Sequence, residues 1–180
     1  MRRGAVMNRI HRYALATAML SAATLGPALA QEPGSRQTRD FVDAMAHADA
    51  FEILEAQTAL AQSADPDVRA FATKMLGDHV ALDRALADAA AKAGLRPPAK
   101  GVGADQAPLL NGLQSLTGAA FDRTYLQHQR QAHQAALTEA QAYAASGDDP
   151  DVRALAARAV QTIAAHRAMA EQMSGQTPAP

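Results

Sequence analysis

The chain has no cysteine and no tryptophan, and its 180 residues include only three Tyr and four Phe. Without cysteine there are no disulfides, no Cys-containing zinc sites and no thiol chemistry. A β-sandwich or barrel would want more Val, Ile, Thr and aromatic residues, and an ordinary enzyme core more aromatic bulk. There is no excess of positive charge either, with 17 basic residues against 18 acidic ones. No basic stripe stands ready to release counterions from phosphates, so nucleic acid is not an expected partner. What is present is alanine: 46 residues, more than half of the 48% hydrophobic fraction. Alanine is the best helix former, and its small side chain lets helices approach closely. The expectation is an all-α chain.

Residues 1–30 contain Arg2, Arg3, Arg9 and Arg12 but no acid, then an apolar stretch from Tyr13 to Leu25, then Pro27-Ala28-Leu29-Ala30. A basic start, a short apolar run and an A-x-A end read as a secretory signal peptide cut after Ala30. The run is shorter than the ~18 residues a membrane span requires. Gly4 and Ala5 follow Arg2-Arg3 without the rest of a twin-arginine signal, which favours the general export route. The remaining 150 residues, 31–180, carry 18 acidic and 13 basic groups and suit one domain without a transmembrane span. The expected location is periplasmic or secreted, with peripheral outer-membrane association left open. Residues 31–37 read as a linker and 174–180 as a disordered tail.

Two stretches nearly repeat at an offset of 84: Ser63-Ala64-Asp65-Pro66-Asp67-Val68-Arg69-Ala70-Phe71-Ala72 and Gly147-Asp148-Asp149-Pro150-Asp151-Val152-Arg153-Ala154-Leu155-Ala156. Each is a helix start: Asp65 and Asp149 as N-caps, proline at the first helical position, and an acid to complement the helix dipole. Helices are expected over about 38–63, 66–93, 119–146 and 150–173. Val68, Ala72, Met75, His79, Leu82, Leu86, Ala89 and Ala93 step by four and three, as do Val152, Ala156, Ala159, Ile163, His166, Ala170 and Met173. The first helix offers Phe41, Met45, Ala48, Glu52 and Ala59; the third offers Phe121, Tyr125, His128 and Tyr143, with Leu126, His133 and Leu137 beside them. Lys92-Ala93-Gly94 ends the second helix. A long connection, 94–118, follows, with room for one short helix over Pro108–Leu116. Short–long–short connectivity is the pattern of a ferritin-like four-helix bundle, two hairpins joined by a crossover.

Four polar groups interrupt the apolar faces. Burying a carboxylate or imidazole without a partner costs several kcal/mol. At ~1.5 Å rise per residue, Glu52 and His79 lie roughly 16–20 Å from the first turn, and His133 and His166 roughly 20–24 Å from the second. All four therefore fall near mid-bundle, one from each helix. Imidazoles and a carboxylate at one level suit a mononuclear Zn, Fe, Mn, Ni or Cu site. The same groups also suit a hydrogen-bonded polar layer that fixes register. Asp83, one turn beyond His79 on the same side, is a candidate to hydrogen-bond and orient a ligand imidazole from behind. Asp78 points about 100° away from His79, so the two are not both central. No Glu-x-x-His of the di-iron kind occurs. Glu55 and Glu139 are expected to be solvated, His47 to lie on the surface and His128 at the core edge. Met45, Met75, Met169 and Met173 read as packing. Gly101-Val102-Gly103 lacks the strand–turn–helix context of a phosphate loop, and the serines lie in turns and loops, with no Ser/His/Asp arrangement.

From Phe41 to about Met173 the chain resembles the bacterial domain-of-unknown-function family 4142. The stretches that carry the resemblance are Phe51-Glu52-Ile53, Val68–Met75 leading to Asp78-His79, Ser115–Tyr125, and then His133 and His166. The resemblance implies an exported, ferritin-like four-helix protein of the outer membrane or periplasm, and it singles out Glu52, His79, His133 and His166. Members typically carry an acid just before the third-helix histidine, where this chain has Ala132, and often a proline in the fourth helix, where it has Gln161. The first departure removes a carboxylate from the third helix's share of the site; the second implies a straighter last helix.

Two functions follow. One is an exported metal-binding bundle for storage, buffering or stress protection, holding one transition-metal ion. The other is a non-catalytic envelope scaffold or interaction module, partnering an envelope protein or a second copy of itself, with a structural or pH-responsive His/Glu layer. Neither reading identifies a substrate, so binding is favoured over catalysis.

Overall fold

The computed structural model describes residues 34–98 and 100–176. The segment read as a signal peptide lies outside them, as do residues 31–33 of the linker and the last four residues of the tail. The described residues form five helices and no strand: α1 Arg36–Gln62, α2 Pro66–Lys92, α3 Ala107–Gln114, α4 Gly118–Ser146 and α5 Pro150–Gln176. Four are long, and the short α3 lies in the connection where the sequence allowed one. α1 starts two residues earlier than expected, because Ser35 caps it by accepting from the Thr38 N–H at 3.0 Å. α5 continues three residues past the expected end.

The repeated motif works the same way at both turns. Asp65 accepts from the N–H groups of Asp67 and Val68 at 2.8 and 3.2 Å, and Asp149 from those of Asp151 and Val152 at 3.0 Å each. The repeated arginine then reaches back to the preceding helix end. Arg69 donates to the Leu60 and Ser63 carbonyls, and Arg153 to the Gly147 carbonyl at 2.5 Å. One five-residue phrase thus starts a helix and satisfies orphan carbonyls of the last one. Gly147 is there for space: a Cβ would lie 2.3 Å from the Tyr143 ring and 2.6 Å from its carbonyl oxygen. α2 ends at Gly94, whose φ of 73° suits glycine, with the Leu95 N–H returning to the Ala90 carbonyl at 2.9 Å.

Side-chain bonds fix the topology. At one end Thr38 of α1 meets Tyr143 of α4 at 2.7 Å and donates to Asp148, just before α5, at 2.6 Å. At the other, Ser63 after α1 donates to Asp122 of α4 at 2.6 Å, and Gln62 to the Gln114 carbonyl at 3.2 Å. α1 therefore runs antiparallel to both α2 and α4. The connection from α2 to α4 travels the length of the bundle, and His47 of α1 bonds the Gly101 carbonyl on the way at 2.7 Å. His47, expected on the open surface, is half-buried beneath this crossover. α1 packs on α2, α4 on α5, and the two hairpins meet through α1–α4 and α2–α5.

The apolar core is in two pieces. One gathers Phe41, Met45, Leu86, Leu137, Tyr143, Val152 and Ile163; the other gathers Ala59, Val68, Phe71, Met75, Leu113, Phe121, Tyr125 and Ala170. All six aromatic residues within the described residues are buried. Phe41 stacks on Tyr143 with centroids 4.1 Å apart, and Phe121 on Tyr125 at 6.1 Å. Met45 and Met75 are buried, and Met169 and Met173 pack on the second cluster. Between the two pieces every long helix contributes polar groups: Asp49, Glu52 and Glu55 from α1, His79 from α2, Gln129 and His133 from α4, and His166 from α5.

Candidate metal centre

Three of the four groups singled out by depth and face converge. His79, His133 and His166 are 4%, 1% and 0% exposed, and each offers a ring nitrogen within 4.8 Å of the others. The Nε2 atoms of His79 and His133 are 3.4 Å apart, and His133 Nε2 lies 3.3 Å from His166 Nδ1. Three nitrogens held at about 2.0–2.1 Å from one ion stand about 3.3–3.6 Å from each other, in tetrahedral or trigonal arrangement. The two short edges of the triad already have that length.

The outward nitrogens settle which way the imidazoles face. His133 Nδ1 donates to the Gln129 backbone carbonyl at 2.7 Å, an atom that can only accept. His79 Nδ1 is 2.8 Å from Asp49 Oδ1, and His166 Nε2 is 2.7 Å from Asp78 Oδ2. With each outward nitrogen serving an acceptor, the inward nitrogens present lone pairs to one another. This is the arrangement in which metal-bound imidazoles are oriented by carboxylates and carbonyls behind them.

Burial and charge divide the protons unequally. Burial pushes His133 down to about 3, helped by the positive charge of His79. Burial also lowers His166, against the pull of Asp78. Burial disfavours the charged form of His79 too, but the Asp49 hydrogen bond and the charges of Glu52, Asp49 and Asp78 outweigh it and raise its pKa. Without a metal, one proton on His79 Nε2 directed at His133 Nε2 is the best arrangement available. It leaves His166 Nδ1 facing a nitrogen with no proton to offer.

Glu52 is at the expected depth but stands outside the cluster of three. Its Oε1 is 3.6 Å from the outward Nδ1 of His133, and its Oε2 accepts from Gln129 Nε2 at 2.5 Å. Burial pushes its pKa up to about 8, with Glu55 and Asp49 adding to the rise. Asp83 touches no imidazole: half-buried, it faces Lys100 of the crossover at 3.7 Å. The outer partners are instead Asp49 and Asp78. Asp78 is indeed off the central face of α2, and from there it reaches across to α5.

Glu55 corrects a second expectation. It is fully buried, with His128 Nδ1 at 2.6 Å and Gln129 Nε2 at 3.2 Å, whereas Glu139 is exposed as expected. α1 packs on two neighbours, so its buried arc is wider than a single seam. Asp49 was missed and Glu55 expected in solvent for this reason. For Asp49 a signal existed: it lies four residues after Met45 and three before Glu52, the same stepping that picked the other positions. Two buried oxygens beside this layer, Tyr125 Oη and Gln129 Oε1, have no hydrogen-bond partner among the described residues.

Fold and site together define a helical-bundle protein with a buried histidine cluster at mid-depth. The chain belongs to the family described as domain of unknown function DUF4142, whose family model matches residues 23–173. No curated protein matches the chain by sequence. Its fold is similar to the crystal structure of a DUF305 fragment from Deinococcus radiodurans, with a TM-score of 0.70 and 21% identity over 80% of this chain and 99% of that one. It is also similar to CopM in its Cu(II)-bound form, with a TM-score of 0.66 and 17% identity over 77% of this chain and 96% of that one. At these identities the likeness concerns the fold.

Proposed function

We propose that the protein is an exported, ferritin-like bundle that binds one transition-metal ion through His79, His133 and His166, and that it serves metal storage, buffering or stress protection. The observation that carries this reading is the set of three inward nitrogens, 3.3 and 3.4 Å apart along two edges, whose outward nitrogens are committed to Asp49, Gln129 and Asp78. A shared proton relieves one of the close approaches; a cation relieves all of them. An all-imidazole donor set suits Zn, Cu, Fe or Ni better than Mn, which prefers oxygen. That a fold neighbour is described in a Cu(II)-bound form agrees with this. The ferritin-like assignment is supported by two antiparallel hairpins joined by a crossover of bundle length. Export is supported by the basic and then apolar composition of residues 1–30. No described helix is long and apolar enough to cross a membrane.

Dialysis of the purified protein against each metal, followed by elemental analysis, is expected to give about one ion per chain and a raised melting temperature. His79→Ala combined with His166→Ala is expected to abolish both. If the protein stays metal-free and its melting temperature ignores Zn, Cu, Fe and Ni, the layer is structural and the scaffold reading takes its place.

A further inference from the structure

The triad is sealed, so an ion needs a way in. Of the three outer partners, Asp49 is 2% exposed and the Gln129 residue 0%, but the Asp78 side chain is 34% exposed. Asp78 and His166 both line a groove of about 530 Å³ between α2 and α5. The walls beside them are low, because Ala81 and Ala165 are small and exposed. One carboxylate oxygen, Asp78 Oδ2, is held from two sides, by His166 Nε2 at 2.7 Å and by Lys74 Nζ at 2.8 Å. Lys74 also lines the groove.

We infer that the α2–α5 groove is the port through which the metal ion enters and leaves, with the His166–Asp78 pair as its latch. The inference rests on the triad being the metal site. His166 is the one imidazole of the three that touches both the groove and the cluster. Its outward nitrogen faces the groove, and its inward nitrogen faces His133. Breaking the bond to Asp78 frees the ring to turn toward the groove. There Asp78 is the landing point for a hydrated cation, and the ring carries it back between His79 and His133. His79 and His133 have no comparable route, since their outer partners are themselves buried. Lys74 holds Asp78 in place and dilutes its charge, which keeps the latch shut in the absence of an ion. The alanines leave the ring room to swing.

The test separates rate from affinity. Ala81→Leu combined with Ala165→Leu fills the groove with helix-compatible bulk and leaves every imidazole and carboxylate in place. Ala135→Leu, on an exposed face of α4, is the control for added surface bulk. Co2+ serves as the probe, its visible absorption followed by stopped flow after an equilibrium titration of each protein. The groove variant is expected to bind Co2+ at unchanged affinity, with association and dissociation both slowed by about tenfold or more, because a narrowed passage raises one barrier for both directions. The control is expected to match the wild type. Unchanged rates in a groove variant that binds Co2+ normally would overturn the port and leave the metal site standing. A wild type that takes up neither Co2+ nor any of Zn, Cu, Fe and Ni at equilibrium would overturn the site, and the port with it; where one of these binds in place of Co2+, its rates are read in the same way. Should the double variant fold poorly by circular dichroism, Ala165→Leu alone is read in the same way.

Discussion

Replacing Glu52 by Gln isolates the electrostatic cost of the polar layer. Burial raises the Glu52 pKa from the ordinary 4.5 to about 8. At about 1.4 kcal/mol per unit, ionising Glu52 inside the fold is about 5 kcal/mol harder than in the unfolded chain. The folded state therefore holds a proton that the unfolded state has released. Stability from this group is complete below pH 4.5 and is lost as pH rises toward 8. Glutamine mimics the protonated acid and keeps an oxygen to accept from Gln129. Its NH2 faces the His133 Nδ1 side, a penalty that does not vary with pH. The slope, rather than the absolute stability, is thus the quantity to read. In chelator, the stability difference between Glu52→Gln and wild type is expected to grow in favour of the variant by about 3 kcal/mol from pH 5 to 7.5. Half that amount still moves a urea midpoint by roughly 1 M at a slope of about 1.5 kcal/mol per M. Urea melts at four pH values across this range decide the matter. Parallel profiles for the two proteins would refute the reasoning, since they would mean that Glu52 is ionised in the fold at little cost.

Two further outcomes follow. Because His79 is raised above its ordinary 6.5, a proton competes with the metal even at pH 7. Affinity for Co2+ or Zn2+ is expected to fall by about a decade per unit as pH drops through 7, and Asp49→Asn is expected to move that fall to lower pH; isothermal titration across pH 6–8 checks it, and a flat profile would contradict it. Gly147→Ala is expected to cost about 2 kcal/mol or more in urea unfolding, because the new methyl group collides with Tyr143 and disturbs its stack on Phe41; a loss under about 0.5 kcal/mol would show that the turn relaxes freely.

Much of the fold was legible because its signals are local. Asp65-Pro66 and Asp149-Pro150 cap helices through bonds to residues two and three positions on, and Gly94 ends α2 through its own backbone. The three histidines were legible for a different reason: a polar residue in an apolar seam costs free energy, and depth can be counted along a helix. What surrounds them was less legible. A seam assigns one face to each helix, whereas α1 packs on α2 and α4 at once. Glu55 sits on the α4 side of that wider arc, and Asp49 reaches His79 on α2. Asp78 was placed correctly off-centre on α2, yet its partner His166 is 88 residues away, which no local pattern encodes. Gln129 was invisible because a side-chain amide carries no pattern of its own; it is known only by the two carboxylates to which it donates.

The distribution of charge across the helices has a consequence for why the layer persists. All three buried carboxylates among the described residues come from α1, and all three triad imidazoles come from α2, α4 and α5. Such a layer divides the apolar core and leaves Glu52 protonated at neutral pH. Replacing buried ionic groups by apolar ones of similar volume is often neutral or stabilising, so stability alone gives no reason to keep them. A cation changes the balance. It replaces the single proton on His79 as the positive charge beside Asp49 and favours the ionised form of Glu52, and it turns three opposed lone pairs into three bonds. The alanine-rich seams fit the same account, since small neighbours let four helices close around groups that need about 3.4 Å between nitrogens rather than the wider spacing of packed leucines. On this argument α1 acts as an anionic backing strip, and the other three long helices carry the ligands. Loss of the metal should therefore loosen the contacts of α1 first, because Asp49 and Glu52 then face a single proton on His79 where they faced a dication. Hydrogen exchange of the α1 amides around Asp49 to Glu55, compared with and without bound metal, is where that loosening is read.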